Sequence, residues 1–190
     1  MRIVDITREL LSAPVYDGDT VPNITKVRSI SEGDDYNLSD LLCCLHSGTH
    51  MDAPLHYIDR GYDIASVNLE KCIGEAAVIE LSGDENPEKL TELLKDLPER
   101  ILIKKDGELT TQTARTLADC GVVLIGVEDM SVGEGDSETK IHRIFLEKGI
   151  AVLENITLEN VKKDRGFLAA LPLKIAGAEG APVRAVFIED

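Results

Sequence analysis

No apolar run in the sequence approaches the roughly 18 residues that a membrane-spanning helix needs, so a bilayer is not an expected partner. Basic residues are outnumbered, 20 Lys and Arg against 35 Asp and Glu, for a formal charge of −15. No basic stripe offsets that balance, which repels phosphate backbones, and nucleic acid is not an expected partner either. Cysteine occurs four times, at Cys43, Cys44, Cys72 and Cys120, with one adjacent pair and no C-x-x-C. Neither a zinc ribbon nor a disulfide framework is indicated, and all four are expected to be reduced and buried. Tryptophan is missing altogether. Met1-Arg2-Ile3-Val4-Asp5 leads into a strand pattern instead of a signal peptide, and the expectation is a soluble, cytoplasmic chain.

What is present suits a globular fold: 190 residues with 43% hydrophobic content, without repeats or a linker, point to one domain over residues 1–190. Strands are expected at Arg2 to Thr7 and Ile24 to Ile30, separated by an irregular loop over 13–23. The run Leu41-Leu42-Cys43-Cys44-Leu45 lacks alternation and reads as a strand buried on both faces that delivers His46 at its end. Further strands are expected at 75–81, 101–104, 122–127, 150–156, 168–175 and 183–188. Helices are expected from Pro87 to about Leu97, from Thr111 to Asp119, and from Ser137 to Gly149. Alternating strands and helices in a chain that begins and ends in strands indicate an α/β fold with a mixed sheet or a barrel.

Histidine is also scarce, yet three of the four fall in His46-Ser47-Gly48-Thr49-His50-Met51-Asp52-Ala53-Pro54-Leu55-His56. His46 and His50 have the i, i+4 spacing of one helix face, but Asp52 on such a helix points away from both. Gly48 and Pro54 argue against a regular helix. An irregular loop that turns His46, His50 and Asp52 inward offers two imidazoles and a carboxylate, a set suited to a catalytic divalent metal. Ser47-Gly48-Thr49 supplies no general base of the H-E-x-x-H kind, which leaves His56 as the candidate. Hydrogen-bonded loop histidines without a metal are the alternative; the density of ligand types favours the metal.

Glu154 follows a buried-looking apolar run, Ile150 to Leu153, where a carboxylate needs a partner or a metal. His142 lies on a helix beside Ile141 and Phe145, and the turn through Gly149 carries the chain back toward Glu154. A core histidine and a water-facing glutamate are the alternative reading. Beside the loop, the pair completes a second metal site bridged by Asp52, with the two metals about 3.5–4 Å apart.

The stretch resembles the signature H-x-G-T-H-x-D-x-P-x-H of the cyclase-like metal-dependent hydrolases, among them bacterial kynurenine formamidases, with isatin hydrolases as relatives. Similar landmarks run along the chain: Val4-Asp5-Ile6-Thr7, Gly18-Asp19, Val127 to Val132, His142 and Glu154, Leu171-Pro172-Leu173 and Ala181 to Ala185. The resemblance implies that His46, His50 and Asp52 bind a first metal, that Asp52, His142 and Glu154 bind a second, and that His56 is the acid/base. It further implies a mixed-sheet, β-barrel-like core surrounded by helices (the swivelling α/β fold), homodimers or homotetramers, and one or two divalent ions, zinc first and manganese second. The implied activity is hydrolysis of a non-peptide amide bond in a small molecule by a metal-activated water, in the manner of an arylformamidase of tryptophan catabolism that converts N-formylkynurenine to kynurenine and formate. A cyclic amide or lactone as substrate and a non-catalytic metal-binding relative are the alternatives, and the presence of His56 argues against the second. Two departures bear on the substrate: Val15-Tyr16-Asp17-Gly18-Asp19 stands where kynurenine formamidases commonly carry tryptophan, and Lys104-Lys105 stands where many members have Arg-Thr.

Overall fold

The computed structural model describes residues 1–82, 85–105 and 109–190. The chain starts with β1 (Arg2–Asp5) and passes through an irregular segment into a hairpin of β2 (Asn23–Arg28) and β3 (Leu38–Leu42). It then enters the main sheet at β4 (His50–Asp52). Strands and helices alternate from there: β5 (Ile73–Leu81), α1 (Pro87–Leu94), β6 (Arg100–Lys105), α2 (Thr111–Asp119), β7 (Leu124–Val127), α3 (Gly135–Glu147) and β8 (Ala151–Glu154). β9 (Arg165–Pro172) and β10 (Gly180–Glu189) finish the chain.

Strands β5 to β8 are parallel neighbours, and their connections carry the three helices. β9 pairs antiparallel with β5 on one side and with β10 on the other, and β10 pairs antiparallel with β4, which pairs with β8. The sheet thus closes on itself as a mixed barrel, with β1 laid along the far end of β10.

Alternation along each strand builds two cores. Ala76, Val78, Leu102, Leu124, Leu153, Leu168, Ala185 and Phe187 fill the barrel interior. Ala77, Ile79, Ile101, Ile103, Ile125 and Val152 face outward and pack under the helices, against residues such as Leu90, Leu117, Ile141 and Phe145. Burial on both faces explains why the parallel strands read as unbroken apolar runs. Each helix starts on a side-chain cap: Asn86 accepts from the N–H of Lys89 with Pro87 in the first turn, Thr110 accepts from that of Thr113, and Glu134 and Ser137 form a capping box. That box starts α3 two residues earlier than the spacing of Ser137 suggests.

Two expectations are corrected. The run 41–45 is not a strand buried on both faces: β3 ends at Leu42, pairs only with β2, and is exposed along its whole length, with Leu42 at 63%. Its leucines lie on a hairpin outside the barrel, where no layer covers them. The cysteines are free, but only Cys72 is buried, under the barrel's first parallel strand; Cys43 and Cys44 are half-exposed because they continue from that hairpin, and Cys120 is half-exposed at the end of α2. Among the described residues, no helix is long and apolar enough to cross a membrane.

Candidate active site

The register of two short strands sets the geometry. β4 and β8 run antiparallel with His50 opposite Glu154, and Asp52, two residues on, shares the face of His50. His50 and Asp52 therefore meet by strand spacing, not through an irregular loop. Thr49 locks this junction: its hydroxyl donates to the carbonyl of Asn155 at 2.5 Å and accepts from the N–H of Arg8 at 2.8 Å. Asn155 itself takes a left-handed conformation (φ 58°) that turns the chain at the end of β8.

His46 comes from the turn ahead of β4 and lies against Gly180, where a Cβ would come within 2.7 Å of the imidazole. His56 ends a single 3-10 turn, Pro54–His56, and stacks on His46 with ring centroids 4.2 Å apart. His142 projects from the buried face of α3.

All of these side chains surround Asp52, which has no exposed surface. Its Oδ1 lies 2.9 Å from His46 Nδ1 and 3.6 Å from His50 Nε2, and its Oδ2 lies 3.4 Å from His142 Nε2. Glu154 spans the two deeper imidazoles, with Oε2 3.1 Å from His50 Nε2 and Oε1 3.2 Å from His142 Nε2. Glu154 Oε1 also accepts from the N–H of Val132 at 2.7 Å. Glu154 is buried, contrary to the water-facing alternative.

Charge in this cluster is concentrated and out of water. Burial pulls His50 toward its neutral form, but Glu154 and Asp52 outweigh it and push the pKa up to about 9. His142 responds in the same way to Asp52 and Glu154 and reaches about 10. Burial works to raise Asp52, yet His142, His46 and His50 hold it well below the usual carboxylate range. Glu154 is raised by burial and by Asp52 and lowered further by His142 and His50, for a net decrease. Burial, the largest influence on His56, pushes it below its ordinary value.

The residues fit a divalent cation on three counts. Both oxygens of Asp52 are buried, and neither accepts a well-formed hydrogen bond. Nδ1 of His50 lies 2.9 Å from the Gly48 carbonyl and Nδ1 of His142 lies 2.9 Å from that of Glu138, contacts that orient each Nε2 into the cluster. The ligand-type atoms of His50, Asp52 and Glu154 fall within 4.8 Å of one another, and so do those of His46, Asp52 and His56. This division differs from the two expected sets, because His56 stands beside His46 and Asp52 as closely as a ligand would.

A pocket of about 310 Å³ opens onto the cluster, with Tyr16, Tyr57, Met130 and Glu138 in its walls. Several of its features were not singled out from the sequence. Tyr57 stacks on His142 at 4.3 Å, Tyr16 donates to Glu138 at 3.0 Å, and Gly180 makes room for His46. Tyr57 had a signal in its position directly after His56; the others depend on contacts far apart in sequence.

Comparison with known proteins places the family and the fold. Residues 4–106 match the family model described as Putative cyclase. The chain is 34% identical over 202 residues to the kynurenine formamidase of Delftia acidovorans, an alignment that covers 97% of this chain and 96% of the relative. The fold is shared with a solved structure described as a potential metal-dependent hydrolase with cyclase activity, at TM-score 0.83 and 23% identity over 100% of this chain and 98% of that one. It is shared also with isatin hydrolase A from Labrenzia aggregata, at TM-score 0.83 and 20% identity over 98% of this chain and 93% of that one.

Proposed function

The chain belongs to the cyclase family of hydrolases, and on that premise we propose that it is a divalent-metal-dependent amidohydrolase of the arylformamidase type, converting N-formylkynurenine to kynurenine and formate. The observation that carries the reading is the buried Asp52, with both oxygens unpartnered, among three imidazoles and Glu154 at the floor of an open pocket. In this reading His46, His50 and Asp52 would hold one ion and Asp52, His142 and Glu154 would hold a second. Nitrogen and carboxylate ligands suit zinc, the first choice, and manganese. A divalent ion held there would supply Lewis-acid chemistry, polarising a carbonyl and lowering the pKa of water.

The protein's own groups do the rest. His56 lines the pocket and is held below its ordinary pKa by burial, so it is neutral at pH 7 and able to accept a proton from the attacking water. It then gives the proton to the leaving nitrogen, which departs as the neutral amine and would otherwise have to leave as an amide anion. Tyr57 stacks on the face of His142 and meets His56 edge-on.

The test is turnover of N-formylkynurenine against a panel of cyclic amides that includes isatin, with His56→Ala beside the native chain. Formamide cleavage with a loss of on the order of 10²- to 10⁴-fold in His56→Ala at unchanged metal content is the expected result. Metal loss in His56→Ala would instead make His56 a ligand, a second reading favoured by its closeness to His46 and Asp52. Preferential turnover of cyclic amides would move the substrate to the isatin-hydrolase side.

Association into a homodimer or homotetramer is part of the proposal. A two-stranded hairpin is marginal in water by itself, and here β2 and β3 expose Ile24, Val27, Leu38, Leu41 and Leu42.

A further inference from the structure

Beside the pocket over the acidic cluster lies a second cavity of about 400 Å³, and the two share part of their walls, including Tyr16, Met130 and Glu138. The histidines and Glu154 line only the first of the two. Arg8 lines the second and is the only arginine or lysine among the described residues that line either cavity.

Arg8 is held in place by the metal-site loop itself: its backbone N–H donates to Thr49 Oγ1, within the histidine-rich stretch. Its guanidinium has one weak partner, the Glu128 carbonyl, 3.4 Å from Nη2. Nε is buried with no hydrogen-bond partner at all. A ligand cannot reach that buried atom, but the two terminal Nη groups, with one long contact between them, keep N–H donors to offer. The planar guanidinium fork matches a carboxylate.

The rest of the annex is acidic, with Glu128, Asp129, Glu134 and Glu138 in its walls. One guanidinium against four carboxylates repels a simple anion. A group that carries both signs satisfies both sets. Pro14, Tyr16 and Met130 line both cavities and offer apolar surface against which an aromatic ring can pack.

We propose that this annex binds the zwitterionic α-amino-acid tail of the substrate, with Arg8 pairing with its carboxylate and the acidic wall receiving its ammonium group. The proposal rests on the hydrolase reading above and narrows it. The scissile amide lies over the histidines, the aryl ring lies between Tyr16 and Met130, and the amino-acid tail fills the annex. Arg8 is then a specificity-determining residue, remote from the reacting atoms.

The test compares N-formylkynurenine with N-formylaniline, which lacks the tail, on the metal-loaded chain and its Arg8→Met and Arg8→Lys variants. The ratio of kcat/KM for the two substrates is expected to fall on the order of tenfold to hundredfold in Arg8→Met, mainly through KM, and to recover in part in Arg8→Lys. An unaltered ratio in Arg8→Met overturns the proposal, whether both activities hold or both fall together as from a structural defect.

Calorimetric binding of L-kynurenine, with aniline as the tail-less control, separates this claim from the hydrolase reading. Kynurenine affinity that drops at least tenfold in Arg8→Met supports the annex even in a chain that hydrolyses neither substrate. Kynurenine that binds both forms equally, or binds neither, refutes the annex even if N-formylaniline is turned over.

Discussion

At the scale of residues, the decisive feature is how little separates a proton site from a metal site. In the metal-free protein His50 and His142 titrate at about 9 and about 10, so both are protonated at pH 7. Because these folded values are raised, the stability the two protons supply is complete below the ordinary histidine value of 6.5 and is lost as pH rises through 9 to 10. A metal needs the same Nε2 lone pairs and displaces those protons. Titration of zinc into the metal-free chain at pH 7, in buffers of different ionisation enthalpy, should therefore report release of about two protons per chain, and affinity should weaken as pH falls. Binding without proton release would mean that the two imidazoles do not take part. The ligand types were legible in the sequence because four histidines are too few to cluster idly, but their geometry was not. The i, i+4 spacing of His46 and His50 suggests a helix or loop, whereas His50 and Asp52 share a face through the two-residue period of β4.

Elements show where apolar patterning stops being informative. The runs at 122–127 and 41–45 look alike in composition, yet β7 is buried on both faces and β3 on neither. Composition reports that a face avoids water and is silent about what covers it. For β7 the cover is local, supplied by neighbouring strands and the helices they lead to; for β3 nothing among the described residues supplies it. A second copy of the chain is the cover proposed for the β2–β3 hairpin. Light scattering on the native protein should give a dimer or tetramer, and Leu41→Glu with Ile24→Glu should shift it toward the monomer while the far-ultraviolet dichroism is retained. A native monomer, or an oligomer indifferent to both charges, would place the interface elsewhere.

Across the whole molecule, function depends on closure of the barrel. β10 joins β9 to β4, sets Pro182 opposite His50, and provides Gly180 as the space in which His46 lies. β8 brings Glu154, α3 brings His142, and β1 ends in the segment that carries Arg8. Strand and helix alternation was readable along the chain, but closure was not, because it rests on pairings between residues more than a hundred positions apart. The converging segments leave Asp52 buried at the centre, its charge matched either by protonated His50 and His142 or by a metal that replaces their protons. The most direct test is elemental analysis of the purified chain beside its Asp52→Ala form. One to two equivalents of zinc or manganese in the native protein, lost in Asp52→Ala although the variant stays folded, is the predicted result. A native protein that binds no divalent metal when supplied with it, or an Asp52→Ala form that retains the full amount, would contradict the account.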